Sequence, residues 1–83
     1  MAHLADIEAL KDRGAGCSAP VEVARLYDLA FEQYTTRALW SWRHLDRPTI
    51  AQALAIAESL RTEGDLAARA LAIRIEDACR AAL

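Results

Sequence analysis

Residues 49–66 read TIAQALAIAESLRTEGDL, and the punctuation of this stretch predicts two helices joined by a tight turn. Thr49 followed three residues later by Gln52 has the form of a capping box, in which each side chain satisfies a backbone donor that the helix start leaves orphaned. Ile50, Ala53, Leu54, Ala57 and Leu60 then recur at helical spacing and form the inner face of a helix over 49–62. Glu63-Gly64-Asp65 supplies a terminating glycine and then an N-cap acid, so a second helix over 66–82 should fold back antiparallel to the first. Ala68, Leu71, Ala72, Ile75, Ala78, Cys79 and Ala82 share one face of it, and the alanines let the neighbouring backbone approach closely.

Upstream, Asp46-Arg47-Pro48 stops whatever precedes the hairpin. From Val23 the apolar residues Leu26, Tyr27, Ala30, Phe31, Tyr34, Ala38, Trp42 and Leu45 fall on one broad face, which predicts a long helix over 18–45. Ser18 is its expected cap, and Pro20 fits its first turn. A continuous helix from Ala19 to His44 spans about 39 Å, whereas a compact chain of this size has a radius of gyration of about 12 Å. It must therefore break or project. Thr35-Thr36 is the weakest point, because adjacent β-branched residues lose rotamer freedom and can bond back to the preceding turn.

Residues 1–17 hold a narrow stripe of Leu4, Ile7, Leu10 and Lys11 that ends before Gly14-Ala15-Gly16, which reads as a short, loosely attached helix and a loop. The expectation is a single all-α domain over 1–83: three principal helices plus a short N-terminal one, with the third and fourth an antiparallel hairpin.

Composition supports this reading and removes several functional classes. Nineteen alanines and eleven leucines against three glycines and two prolines in 83 residues favour helix over strand or disorder. A net charge of −2 gives no basic field for nucleic acid, and charges interrupt every apolar run, so no membrane span is expected. The N-terminus has no secretory pattern, which makes the cytoplasm the expected location. Cys17 and Cys79 are too far apart for a zinc knuckle and too few for a disulfide scaffold, so no metal site and no cofactor is predicted. Arginine supplies nine of the ten basic residues; with the alanine excess, that suggests a bacterial genome of high GC content.

The densest group of recognition-type side chains is Trp40, Ser41, Trp42, Arg43 and His44, with Arg37 and Arg47 nearby. On a continuous helix Trp42 belongs to the core face, while Trp40 projects to the opposite side with Leu29. Tryptophan and arginine are enriched at binding hot spots, which makes Trp40 the leading contact candidate. Leu66 and Ile73 form a second apolar stripe, opposite the inner face of the last helix, and suit a partner or a second copy in a homodimer. Acid pairs such as Glu58 with Asp65, or Glu76 beside Asp77, read as solvated faces, with Glu76 and Arg80 forming an i,i+4 pair.

Two family resemblances arise from these residues. Ala53, Ala57, Leu60, Gly64, Asp65 and Leu66 resemble one tetratricopeptide hairpin over a quarter of the chain, but Arg69 stands where that repeat carries a small residue, and no second copy follows. Arg37 and His44, with six residues between them, resemble the Arg–His motif of HEPN ribonucleases; this implies His as acid or base and Arg on phosphate charge, although Ala38 stands where a polar residue is usual.

The expected function is that of a small non-enzymatic interaction module: an adaptor, assembly factor or inhibitor of a bacterial or phage machine. It would bind another protein through Leu29, Arg37, Trp40, Arg43, His44, Arg47, Leu66 and Ile73. The alternatives are a HEPN-like, metal-independent ribonuclease using Arg37 and His44, or a helix-turn-helix nucleic-acid binder whose Glu58, Glu63 and Asp65 would repel phosphates.

Overall fold

The computed structural model describes residues 2–36 and 38–83, and the side chains of 6–36 and 38–83. Four helices follow one another: α1 Ala2–Gly14, α2 Val21–Tyr34, α3 Ile50–Glu63 and α4 Leu66–Ala82. Among the described residues the chain is all-α, with an isolated backbone bridge between Ser18 and Thr49.

The α3–α4 hairpin follows from its end residues. Thr49 Oγ1 accepts from the Gln52 N–H (3.1 Å) and Gln52 Oε1 accepts from the Thr49 N–H (2.7 Å), which completes the capping box. Asp65 caps α4 by accepting from the Ala68 N–H at 3.0 Å. α3 is the central element and packs against α1, α2 and α4. Ile56, which lies off the expected inner face, is therefore buried along with Ile50, Ala53, Leu54, Ala57 and Leu60.

Four expectations are corrected. The second helix does not run over 18–45: it starts at Val21 with Pro20 at the N-cap and no side-chain cap, while Ser18 instead pairs with Thr49. It ends at Tyr34, where Thr35 Oγ1 donates to the Phe31 carbonyl and the Ala38 and Leu39 N–H groups both donate to the Tyr34 carbonyl (3.0 and 3.1 Å). The longest molecular axis, 31 Å, has no room for a 39 Å rod, and the radius of gyration is 11.4 Å.

Second, the break changes which side chains enter the core. Leu39 turns inward and is fully buried, whereas Trp42, expected on the core face, is 43% exposed. Third, α1 is firmly docked: Ile7 and Leu10 are buried, Lys11 pairs with Glu58, Arg80 pairs with Asp6, and Arg13 donates to the Leu83 carbonyl at 3.1 Å. Leu4 lies outside the described side chains.

Fourth, Glu76 is not solvated. It is 2% exposed and accepts two hydrogen bonds from Arg61, at 2.7 and 2.8 Å, while Arg80 pairs with Asp6 and Asp77. That fork ties the outer end of α3 to the middle of α4.

Candidate functional site

The described residues between Thr35 and Pro48 are irregular, yet their backbone is held at both ends and at several points between. Ala38, Leu39 and Pro48 are buried, and Leu45 packs half-buried against the core. The Leu45 N–H donates to the Tyr27 hydroxyl at 3.0 Å, and burial pushes the Tyr27 phenol above its ordinary range even though this bond pulls the other way. At the segment's end, the Ala19 N–H donates to the Pro48 carbonyl at 2.9 Å.

His44 forms another tether. Its Nε2 lies 2.7 Å from Asp28 Oδ1, and its ring stands edge-on to Phe31 at 5.1 Å and tilted against Tyr27 at 5.3 Å. Tyr27, Asp28 and Phe31 all belong to α2, so one helix turn grips the imidazole from two sides and by its nitrogen. Trp42 supplies the next tether: its Nε1–H donates to Ser59 Oγ (3.2 Å), and that hydroxyl donates to the Ala38 carbonyl (2.7 Å). The indole is thereby fixed over α3.

Between these anchors stands Trp40, 71% exposed, with Ser41, Arg43 and Arg47 also exposed. Beside them Ser41, Trp42, Glu58, Ser59, Thr62 and Glu63 line an open cleft of about 310 Å³. The four α3 residues sit at i, i+1, i+4 and i+5, a single helix face that reads from sequence as an ordinary solvated stripe. Only the break after Tyr34 brings Trp42 over it.

Trp40, Arg43, His44 and Arg47 lie on this segment and all four are exposed. Leu29 is half-buried against the core on α2, because the broken helix gives it no shared face with Trp40. Arg37 lies outside the described residues. Leu66, 81% exposed, and Ile73, 45% exposed, stand two turns apart on the outer side of α4, a different element from the tryptophan segment. The sequence reading missed Asp28, Glu58, Ser59, Thr62 and Glu63, and it placed Trp42 in the core. Cys17 is exposed and Cys79 buried, and no group of three His, Cys, Asp or Glu side chains among the described residues could hold a metal ion. No helix among them is long and apolar enough to cross a membrane. No known protein family, no curated protein and no solved structure matches the chain.

Proposed function

We propose that this protein is a small non-enzymatic docking module that binds another protein through the Thr35–Pro48 segment, with Trp40 as the anchor. The observation that carries the reading is the 71% exposure of Trp40 between buried and hydrogen-bonded flanks. An indole left in water forgoes roughly 1.5–3 kcal/mol of burial free energy, which a partner's pocket can recover. The tethers at Trp42, His44 and Leu45 hold the segment in place before binding, so little conformational entropy remains to be lost on association. Arg43 and Arg47, both exposed on the same segment, add positive charge that suits a polar rim. Leu66 and Ile73 offer a separate apolar contact on α4, for the same partner or a second copy. An adaptor, an assembly factor or an inhibitor of a larger bacterial or phage machine is the class of protein that such a surface serves.

The test is affinity capture from host lysate with wild type and Trp40→Ala in parallel, with circular dichroism of both proteins and light scattering of the eluted complex. A stoichiometric protein retained by wild type and lost by a folded Trp40→Ala supports the reading. Unchanged capture by the variant refutes Trp40 as the anchor. Recovery of RNA that is cleaved without metal by wild type but not by His44→Ala replaces the docking reading with the ribonuclease one.

A further inference from the structure

We infer that the cleft beside Trp42 seats a cationic side chain, arginine or lysine, presented by the protein partner. The inference rests on the docking reading and adds the chemistry of what docks. Trp42 forms an indole wall of the cleft, Ser41, Ser59 and Thr62 contribute hydroxyls, and Glu58 and Glu63 contribute carboxylates. Indole and carboxylate lining one cleft is a combination that selects a cation, since the ring's negative face and the acid attract it together. The cleft's volume of about 310 Å³ falls at the small end of ligand sites and has room for one side chain.

The two carboxylates are not equivalent. Glu58 already pairs with Lys11, reaching across from α1. Glu63 has no cationic partner among the described residues, and it is the last residue of α3, where the negative end of the helix dipole opposes a carboxylate. That charge works against its own helix, and an incoming cation removes the conflict. The wall is also set in advance: the Trp42–Ser59–Ala38 hydrogen-bond chain holds the indole before a ligand arrives. Arginine suits the site better than lysine, because its planar guanidinium can stack on the indole while its N–H groups reach the hydroxyls and a carboxylate.

The probe is a capped tetra-arginine peptide titrated into ¹⁵N-labelled protein, with the Trp42 and Trp40 indole N–H signals followed separately and capped tetra-glutamate as control. The inference requires a saturable Trp42 shift with tetra-arginine and none with tetra-glutamate. It also requires a Kd raised about two- to fivefold by Glu63→Gln, the scale of one exposed cation–π or ion-pair contact. Glu63→Gln removes a charge that the helix dipole disfavours, so it leaves the fold intact for comparison. Absence of a saturable shift, or an identical Kd in Glu63→Gln, overturns the cation seat. If Trp40→Ala still abolishes partner capture in that case, the docking surface stands and only its chemistry fails. A Trp42 shift driven by protein concentration alone and reversed by Glu63→Gln makes a second copy the occupant and overturns the assignment to a different partner.

Discussion

Single side chains carry unequal weight here, and among the described residues Glu76, held by Arg61, is the buried charged one. Glu76 is almost fully buried, so removing Arg61 takes away the two hydrogen bonds its carboxylate accepts at 2.7 and 2.8 Å, whereas removing both partners leaves no buried acid to satisfy. Arg61→Ala should cost about 2–4 kcal/mol in urea unfolding, near the range for breaking buried pairs, because Arg61 itself is partly solvated. The double variant Arg61→Leu/Glu76→Leu should recover more than half of that loss; equal losses would mean that the pair acts only through packing. Cys79 makes the alkaline limit predictable. Burial, helped by the neighbouring Glu76 charge, pushes its thiol from 9.0 to about 11. Between those values the unfolded chain has released the thiol proton and the folded chain has not, so rising pH pulls the equilibrium towards unfolding. Stability should be unaffected by this group below about pH 8.5 and should fall by about 2 kcal/mol between pH 9 and 11. Tyr27, also raised by burial, adds to the fall at the upper end. Denaturation midpoints at pH 8 and pH 10.5, wild type against Cys79→Ala, check this: the variant should lose distinctly less on the alkaline side.

At the scale of elements, the helix ends show how local chemistry sets the architecture. Gly64 closes α3 with φ −92° and ψ 175°, an extended conformation open to any residue, so left-handed geometry is not the reason for glycine there. The reason is space. A Cβ on Gly64 would meet the Leu60 carbonyl oxygen at 2.6 Å and collide with Ala68 Cβ, the close approach that lets α4 fold back on α3. Gly64→Ala should therefore destabilise by about 1–3 kcal/mol, the usual cost of overpacking, and Thr49→Ala by about 1 kcal/mol through loss of the capping box. Thermal melts of the two variants separate these causes, because Thr49→Ser should restore the second and no small residue larger than glycine should restore the first.

The hairpin was legible because Thr49, Gln52, Gly64 and Asp65 act on their immediate neighbours, and the face of α4 was legible because its periodicity is unbroken. The extent of α2 was not. Thr35-Thr36 marked the weak point, but whether a helix continues past a weak point depends on what the rest of the chain can bury, and that is a tertiary quantity. Once α2 stops at Tyr34, the periodicity of Ala38, Trp42 and Leu45 no longer describes a helix face. Leu39, which that face leaves out, is then buried, and Trp42, which it includes, is 43% exposed. The cleft was hidden for the same reason: its α3 face was visible as spacing, but its aromatic wall arrives from a segment that sequence reasoning had made helical. The exposure of Trp40 was legible because it survives on either path.

Across the whole molecule, a chain of 83 residues has few aromatic side chains to spend, and five in the sequence must serve both core and surface. Tyr27, Phe31 and Tyr34 are buried on α2, while both tryptophans remain on the outside. The core beneath them is instead closed by Leu39, fully buried at the turn that follows α2. A buried core side chain and an exposed indole, the proposed anchor, are thereby adjacent residues of one segment, and substitution can separate their roles. Leu39→Ala removes a packed side chain and should cost about 2–5 kcal/mol, with cooperative unfolding shifted to lower urea. Trp40→Ala removes mostly solvated surface and should change stability by no more than about 0.5 kcal/mol while partner capture is lost. Trp42→Phe keeps the ring but deletes the donor to Ser59, so it should cost about 0.5–1.5 kcal/mol and loosen the segment around Trp40. Acrylamide quenching distinguishes the two indoles: in Trp42→Phe the remaining Trp40 should quench as a freely exposed indole, and in Trp40→Ala the remaining Trp42 should quench less efficiently. If Trp40→Ala instead lowers the unfolding midpoint as far as Leu39→Ala does, the segment holds the fold together through Trp40, and its exposure serves no partner.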